Sequence, residues 1–271
     1  MLYDIFEYIP DDRPRRFLAD LLHPANGGED DEKEERWRPR FRDAGRLREV
    51  RRCVHAMADV AADRKSAAAS FASDDNLEKV FSDQPLGDPA EAARCEKALD
   101  RALSSCATVR TLRQALEGLG VATPGFVRCT PCPEGAGIAG GYVPGRGVVL
   151  CQQWAAQWPS EVPNTLTHEL IHAYDDARAR LDWGNLRHHA CTEIRAALLS
   201  GDCTFGRELD RGMIGFWRNG VSGAGARCVR RRAELSVAAN PACAAAADAA
   251  AAVEAAWPTC YKDYAPWDRV P

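Results

Sequence analysis

Two histidines and a glutamate at a fixed spacing carry the clearest chemistry in this 271-residue sequence. His168, Glu169 and His172 form the pattern H-E-x-x-H within the stretch T-H-E-L-I-H-A-Y-D. On an α-helix, residues four apart lie on the same face, so both imidazoles can bind one metal ion. Glu169 lies beside them, where its carboxylate can take a proton from a water molecule that the metal activates. The spacing therefore predicts a zinc site with His168 and His172 as ligands and Glu169 as the catalytic residue.

A catalytic zinc ion usually has three protein ligands and one open position, so a third ligand is expected. The residues downstream offer His188, His189 and Glu193. His188 and Glu193 are about 140° apart around a helix, whereas His189 and Glu193 share a face. A carboxylate in the middle of a buried helix is costly unless it has a partner. We predict Glu193 as the third ligand and keep His188 as the alternative. If Glu193 binds no metal, a surface ion pair with Arg187 or Arg195 would explain its carboxylate.

Apolar spacing around these residues predicts the two helices that must position them. The first should run from about residue 163 to residue 180, with Glu161 near its N-terminus. The second should span 186–199, after a break at 182–185. Asp175, three residues after His172, is a candidate acceptor that orients a ligand imidazole.

The remaining segments predict an α+β fold with a small β-sheet and a mostly helical C-terminal half. Upstream of the motif, helices are expected at 90–103 and 109–116, and an extended segment at 121–129. Residues 141–143 and 148–151 flank a Pro-Gly-Arg-Gly turn, which is typical of a hairpin. An unpaired strand edge beside the metal could bind an extended peptide. Downstream helices are expected at 205–218, 229–238 and 242–256, and we interpret the last, alanine-rich one as a plain surface helix.

Composition limits the classes of protein that the chain can belong to. Hydrophobic residues make up 46%, which is enough for a core, and the net charge of −4 gives no case for a nucleic-acid partner. No apolar run approaches the roughly 20 residues that span a bilayer. The first thirty residues are typical neither of a secretory signal nor of an Arg-rich transit peptide. Opposite charge blocks follow, so we predict a partly disordered extension at 1–90 and the catalytic domain at 91–271.

Ten of the eleven cysteines lie from Cys95 onward. Their mostly wide spacing favours disulfides and an oxidising compartment. Cys129 and Cys132 form a C-x-x-C, for which a zinc cluster or a redox dithiol are the alternatives. Cys53, in the extension, is the expected unpaired thiol. We expect disulfides of the cysteines that bracket the second helix, Cys191 and Cys203, to anchor the element that carries the third ligand.

Six segments follow one another in the sequence: H-E-L-I-H-A-Y-D at 168–175, N-L-R-H at 185–188, A-C-T-E-I-R-A at 190–196, L-S-G-D-C at 199–203, C-V-R-R-R-A at 228–233 and C-x-x-D-x-x-P at 260–266. In this order they closely resemble one family of mitochondrial inner-membrane metalloproteases. That family matures a subunit of ATP synthase and is also described as a Ku-antigen-binding protein. The resemblance covers about 95–271.

The resemblance implies a zincin-like zinc endopeptidase, attached peripherally to the inner membrane on its intermembrane-space side. Its substrate and partner would be the precursor of ATP synthase subunit a, whose presequence it would remove and whose assembly it would assist. It carries over His168 and His172 as ligands and Glu169 as the catalytic residue, and leaves the third ligand open. The alternative is an assembly chaperone or binding protein whose metal site is dispensable. A nuclear DNA-repair partner is a weaker alternative, because so many cysteines argue against a reducing compartment.

Overall fold

The structure is a computed structural model that describes residues 78–80, 86–133, 138–211, 213 and 224–271. The extension predicted at 1–90 falls almost entirely outside the described residues, as does Cys53. The domain boundary expected near residue 90 therefore stays a prediction.

Two helices precede the sheet, α1 (Pro89–Ser105) and α2 (Ala107–Gly118), and both were expected from the sequence. Asp88 is the N-cap residue of α1, and its side chain accepts hydrogen bonds from the backbone N–H groups of Ala90 and Glu91, at 2.6 and 3.1 Å. This cap satisfies donors that have no partner inside the helix. The apolar faces of both helices are buried in the core beside the sheet.

A three-stranded sheet follows, made of β1 (Val127–Thr130), β2 (Gly140–Val143) and β3 (Gly147–Cys151). The strand order is β1-β3-β2, with β1 parallel and β2 antiparallel to β3. The predicted hairpin is therefore confirmed, whereas the extended segment expected at 121–129 is a strand only from its seventh residue. Gly147 has φ +144°, and a Cβ there would lie 2.2 Å from the carbonyl oxygen of Phe126, so the turn requires glycine.

The motif lies on α4 (Val162–Ala179), which follows the short helix α3 (Gln152–Gln157). Arg180 ends α4 in the left-handed conformation. Helix α5 spans Leu186–Leu199. Its N-cap residue is Asn185, whose side chain accepts hydrogen bonds from two backbone N–H groups in the first turn of the helix. Both predicted helices are confirmed within one or two residues. Helix α4 packs against α2 and the sheet on one side and against α5 on another, so the motif lies at the centre of the fold.

The C-terminal half contains α6 (Phe205–Asp210), α7 (Ala224–Ala239) and α8 (Ala246–Cys260). The helix expected at 205–218 ends at Asp210, with Arg211 as its C-cap residue, so its predicted end was wrong; residues 212 and 214–218 lie outside the described residues. The alanine-rich segment is a surface helix, as interpreted, since most residues of α8 are exposed and only one face is buried. Small buried residues, mainly alanines, let α8 pack closely against α5 and α7, and this cluster forms a second apolar core. No helix in the described ranges is both long and apolar enough to span a membrane.

Disulfides hold these elements together, as the cysteine spacing predicted. Within the described residues the four pairs are Cys95–Cys129, Cys132–Cys151, Cys191–Cys260 and Cys203–Cys228. The C-x-x-C residues join different partners, so both alternatives for that motif, a zinc cluster and a redox dithiol, were wrong. Among the described cysteines Cys106 and Cys243 are unpaired. The expected anchoring of α5 is confirmed, since one pair joins α5 to α8 and another joins the loop after α5 to α7.

Candidate metal centre

Three buried side chains from α4 and α5 converge at one point. His168 and His172 project from adjacent turns of α4, and Glu193 faces them from α5. One donor atom from each residue can be chosen so that all three atoms lie within 4.8 Å of one another. The Nε2 atoms of His168 and His172 lie 3.7 Å from Oε2 and Oε1 of Glu193, respectively. The structure therefore brings together the three residues that the sequence predicted as ligands.

The orientation of His172 is set by Thr192 of α5. His172 Nδ1 lies 2.8 Å from Thr192 Oγ1, and the Thr192 hydroxyl donates to Asp175 Oδ2 at 2.9 Å. A hydroxyl has one hydrogen, so Thr192 Oγ1 must accept from His172 Nδ1–H. The neutral imidazole then carries its lone pair on Nε2, the atom that faces Glu193. Asp175 thus orients His172 as predicted, although it acts through Thr192 and not by direct contact.

His168 is oriented by Asp202, in the loop after α5. Asp202 Oδ2 lies 3.3 Å from His168 Nδ1 and 3.1 Å from a guanidinium nitrogen of Arg232 on α7. Burial by itself raises the pKa of Asp202, but Arg232, His168 and Arg211 together hold that pKa well below its usual range. The ring of His168 is therefore turned so that Nδ1 faces this carboxylate and Nε2 faces Glu193. Sequence reasoning missed Asp202, which lies inside the L-S-G-D-C segment.

Glu193 is held by His189, one turn earlier on α5. His189 is fully buried, and its Nε2 lies 3.1 Å from Glu193 Oε1. Asn240 Oδ1 accepts from the backbone N–H of Ala242, and its Nδ2 donates to the carbonyl oxygen of Trp183. These two bonds fix the amide, so Asn240 Nδ2 must donate to His189 Nδ1 at 3.0 Å. His189 Nε2–H therefore donates to Glu193.

The alternative ligand, His188, lies elsewhere. It is exposed, and its Nδ1 accepts from the backbone N–H of Asp182. The physical reason is the angle of about 140° that separates His188 from Glu193 around α5. The structural alternative, a surface ion pair of Glu193 with Arg195, is also wrong, because Arg195 is buried and its Nε lies 2.9 Å from Asp175 Oδ2.

An indole ring lies beside the converging side chains, and the strand β2 packs against the helix that carries the motif. Within the described part of the chain β2 is an edge strand, and it packs against α4. Tyr142 of β2 donates to Asp176 of α4 at 2.8 Å, and burial together with this hydrogen bond raises the pKa of Tyr142. The ring of Trp183 lies 6.1 Å from that of His172 and 6.0 Å from that of His189, centroid to centroid. Trp183 thus forms an apolar wall beside the candidate ligands.

The donor set fits zinc. Two imidazole nitrogens and one carboxylate are a common ligand set of catalytic zinc, whose fourth position is taken by water or substrate. Bonds of about 2.1 Å at tetrahedral angles separate neighbouring donors by about 3.4 Å. Each imidazole Nε2 lies 3.7 Å from one oxygen of Glu193, and three donor atoms, one from each residue, lie within 4.8 Å of one another. Glu169 is buried beside His168 on the same helix. A helix with this set of residues, on an α+β fold, is the arrangement typical of metal-dependent hydrolases.

Comparison with known proteins assigns the chain to a family of peptidases. The chain belongs to the peptidase M76 family, whose family model matches residues 93–268. It is 36% identical over 191 residues to the mitochondrial inner membrane protease atp23 of Schizosaccharomyces pombe. The aligned region covers 70% of this chain and 100% of that protein. It is 40% identical over 188 residues to the mitochondrial inner membrane protease ATP23 of Saccharomyces cerevisiae. The aligned region covers 66% of this chain and 80% of that protein. No solved structure matches it.

Proposed function

We propose that this protein is a zinc-dependent endopeptidase with a zincin-like catalytic domain. The observation that carries the proposal is the convergence of His168, His172 and Glu193, with their donor atoms facing one another, beside Glu169 on the same helix. Membership of a peptidase family supports the hydrolytic reaction, and the nitrogen and oxygen donors support zinc.

In this mechanism His168, His172 and Glu193 would hold the metal. Bound zinc would supply a Lewis acid, which polarises the scissile carbonyl and lowers the pKa of a water molecule. Glu169 would accept the proton of that water as it attacks, and would then pass the proton to the leaving amine. The edge of β2 would hold the substrate as an extended strand through main-chain hydrogen bonds. Trp183 would exclude bulk water from one side of His172.

We infer that the enzyme acts at the mitochondrial inner membrane, attached peripherally on the intermembrane-space side. The relatives are named as proteases of that membrane, and the disulfides suit an oxidising compartment. By resemblance to the family, its substrate would be the precursor of ATP synthase subunit a. It would remove the presequence of that subunit and assist its assembly.

The test of the mechanism is peptidase activity of the full-length protein on an unfolded presequence peptide. Glu169→Gln should keep the fold and zinc binding but lower the rate of cleavage by about 10²–10⁴-fold, because proton transfer is lost. Glu254→Gln, at the exposed surface of α8, is the matched control and should cleave at the rate of the unaltered protein. A chelator should abolish cleavage, and added zinc should restore it. Full activity of Glu169→Gln would refute the mechanism.

A complementation experiment separates the peptidase from the assembly chaperone. The unaltered chain and Glu169→Gln would each be expressed in Saccharomyces cerevisiae cells that lack their own relative. Removal of the subunit a presequence by the unaltered chain alone supports the proposed substrate. Rescue of complex assembly by Glu169→Gln, without presequence removal, would show that the assembly role does not need catalysis.

A further inference from the structure

A chain of buried polar side chains connects His172 with the C-terminal turn, which we define as residues 261–267. Arg195 of α5 is fully buried and lies in the middle of this chain. Its Nε donates to both carboxylate oxygens of Asp175, at 3.0 and 2.9 Å. Its two terminal nitrogens donate to the carbonyl oxygens of Asp263 and Ala265 in the turn. One guanidinium therefore binds the carboxylate behind His172 and the backbone of the C-terminal turn at once.

The turn is fixed to the same place by further contacts. Asp263 Oδ1 lies 2.6 Å from Nη1 of Arg195, and Asp263 Oδ2 accepts from Arg178 of α4 at 2.5 Å. Arg178 also donates to Asp175 at 2.9 Å. Two arginines thus share two carboxylates, which balances the buried charges. The disulfide of Cys260 with α5 anchors the chain just before the turn.

These contacts determine the direction of the Thr192 hydroxyl. A threonine hydroxyl next to an imidazole can either donate to it or accept from it. Here Asp175 is an acceptor close to Thr192 Oγ1, and Arg195 holds that carboxylate in place. The hydroxyl hydrogen therefore points at Asp175, and the oxygen accepts from His172 Nδ1–H. If the hydroxyl turned round and donated to Nδ1, the proton of His172 would move to Nε2, which could then bind no metal.

We propose that Thr192 and Asp175 are positioning residues that select the metal-binding tautomer of His172, and that the C-terminal turn holds them in place through Arg195. The proposal rests on the proposed metal site. It assigns a role to a segment about ninety residues after the motif, although that segment contacts neither candidate histidine ligand in this chain of bonds.

The first experiment compares Thr192→Val with Thr192→Ser in the full-length protein, each loaded with zinc against a competing chelator. Valine keeps the shape but cannot accept from His172, so zinc should bind about 10- to 100-fold more weakly. Serine keeps the hydroxyl and should restore binding to near that of the unaltered protein. Equal zinc affinity of the valine and serine variants would overturn the proposal.

The second experiment reads the tautomer directly in metal-free protein, by ¹⁵N NMR of labelled histidine. His172 should carry its proton on Nδ1 in the unaltered protein and in Thr192→Ser, and Thr192→Val should shift the population towards Nε2–H. This readout separates the two proposals. If the unaltered protein binds no zinc, the proposed function fails, while the tautomer still tests the positioning role. A His172 that carries its proton on Nε2 in the unaltered protein would refute the positioning role alone.

The third experiment tests the turn with Asp263→Asn, which keeps the size of the side chain but removes its charge. Zinc affinity should fall severalfold, and the tautomer of His172 should become mixed. Asp268→Asn, an exposed aspartate of the same tail, is the matched control and should change neither. A loss of thermal stability in Asp263→Asn with unchanged zinc affinity and tautomer would show that the turn has only a structural role.

Discussion

The disulfide between Cys191 and Cys260 should contribute more to stability than any other in the described part of the chain. Its cysteines are 69 residues apart in sequence, whereas those of Cys132–Cys151 are 19 apart. A cross-link lowers the entropy of the unfolded chain by about 2.1 + 1.5R ln n cal/mol/K for a loop of n residues. The Cys203–Cys228 disulfide, whose cysteines are 25 residues apart, lies inside the longer loop and shortens it to about 44 residues. At 25 °C the entropy term amounts to about 4.0 kcal/mol for this loop and about 3.2 kcal/mol for the loop of Cys132–Cys151.

The comparison of two double variants isolates the effect of loop length. The first variant combines Cys191→Ala with Cys260→Ala, and the second combines Cys132→Ala with Cys151→Ala. Each disulfide joins one buried and one half-buried cysteine, so the two variants lose similar packing. Equilibrium unfolding in urea should show a free energy of unfolding about 0.8 kcal/mol lower for the first variant than for the second. With a slope of about 2 kcal/mol per molar urea, its midpoint should lie about 2 M below that of the unaltered protein.

The longer disulfide also anchors the C-terminal turn beside α5, so its removal should weaken zinc binding more than removal of the shorter one. A smaller loss of stability for the variant that lacks Cys191 and Cys260 would refute the loop-entropy reasoning. Equal zinc affinity of the two double variants would show that the noncovalent contacts of the turn hold Arg195 without help from the cross-link.

Three further predictions follow from individual side chains. Alkylation and mass spectrometry of the native protein should find Cys106 and Cys243 as thiols, and recovery of either one in a disulfide would contradict the described pairing. His189→Gln can still donate to Glu193 whereas His189→Asn cannot reach it, so zinc affinity should follow the order unaltered, Gln, Asn; equal affinities would exclude a role for this hydrogen bond. Burial by itself raises the pKa of Asp263. Its two arginine neighbours have the larger, opposite effect, so the pKa lies below its ordinary value. The carboxylate therefore stabilises the fold above about pH 4, and this contribution disappears as the pH falls through its lowered pKa. Thermal unfolding between pH 5 and pH 2 should thus depend less on pH in Asp263→Asn, and parallel curves would contradict this.

Local patterns in the sequence were enough to predict the elements that carry the candidate site. The spacing of His168, Glu169 and His172 depends only on the helical repeat, and that repeat is set by neighbouring residues. The bounds of α5 were predicted correctly because Asn185 caps its first turn and apolar residues follow at helical spacing. Glu193 was also predicted, because a carboxylate in the middle of a buried helix is costly unless it has a partner.

Tertiary structure alone decided which neighbours complete the candidate site. Thr192, Asp202 and Asn240 each orient one candidate ligand or its partner, but they come from different elements and show no spacing relative to the motif. Cysteine spacing predicted disulfides without identifying the partner of any cysteine, because pairing depends on distances between packed elements. Packing alone likewise decided which face of the surface helix α8 is buried. Alanine is small enough for either a solvated or a closely packed face, and only contact with α5 and α7 distinguishes the two environments.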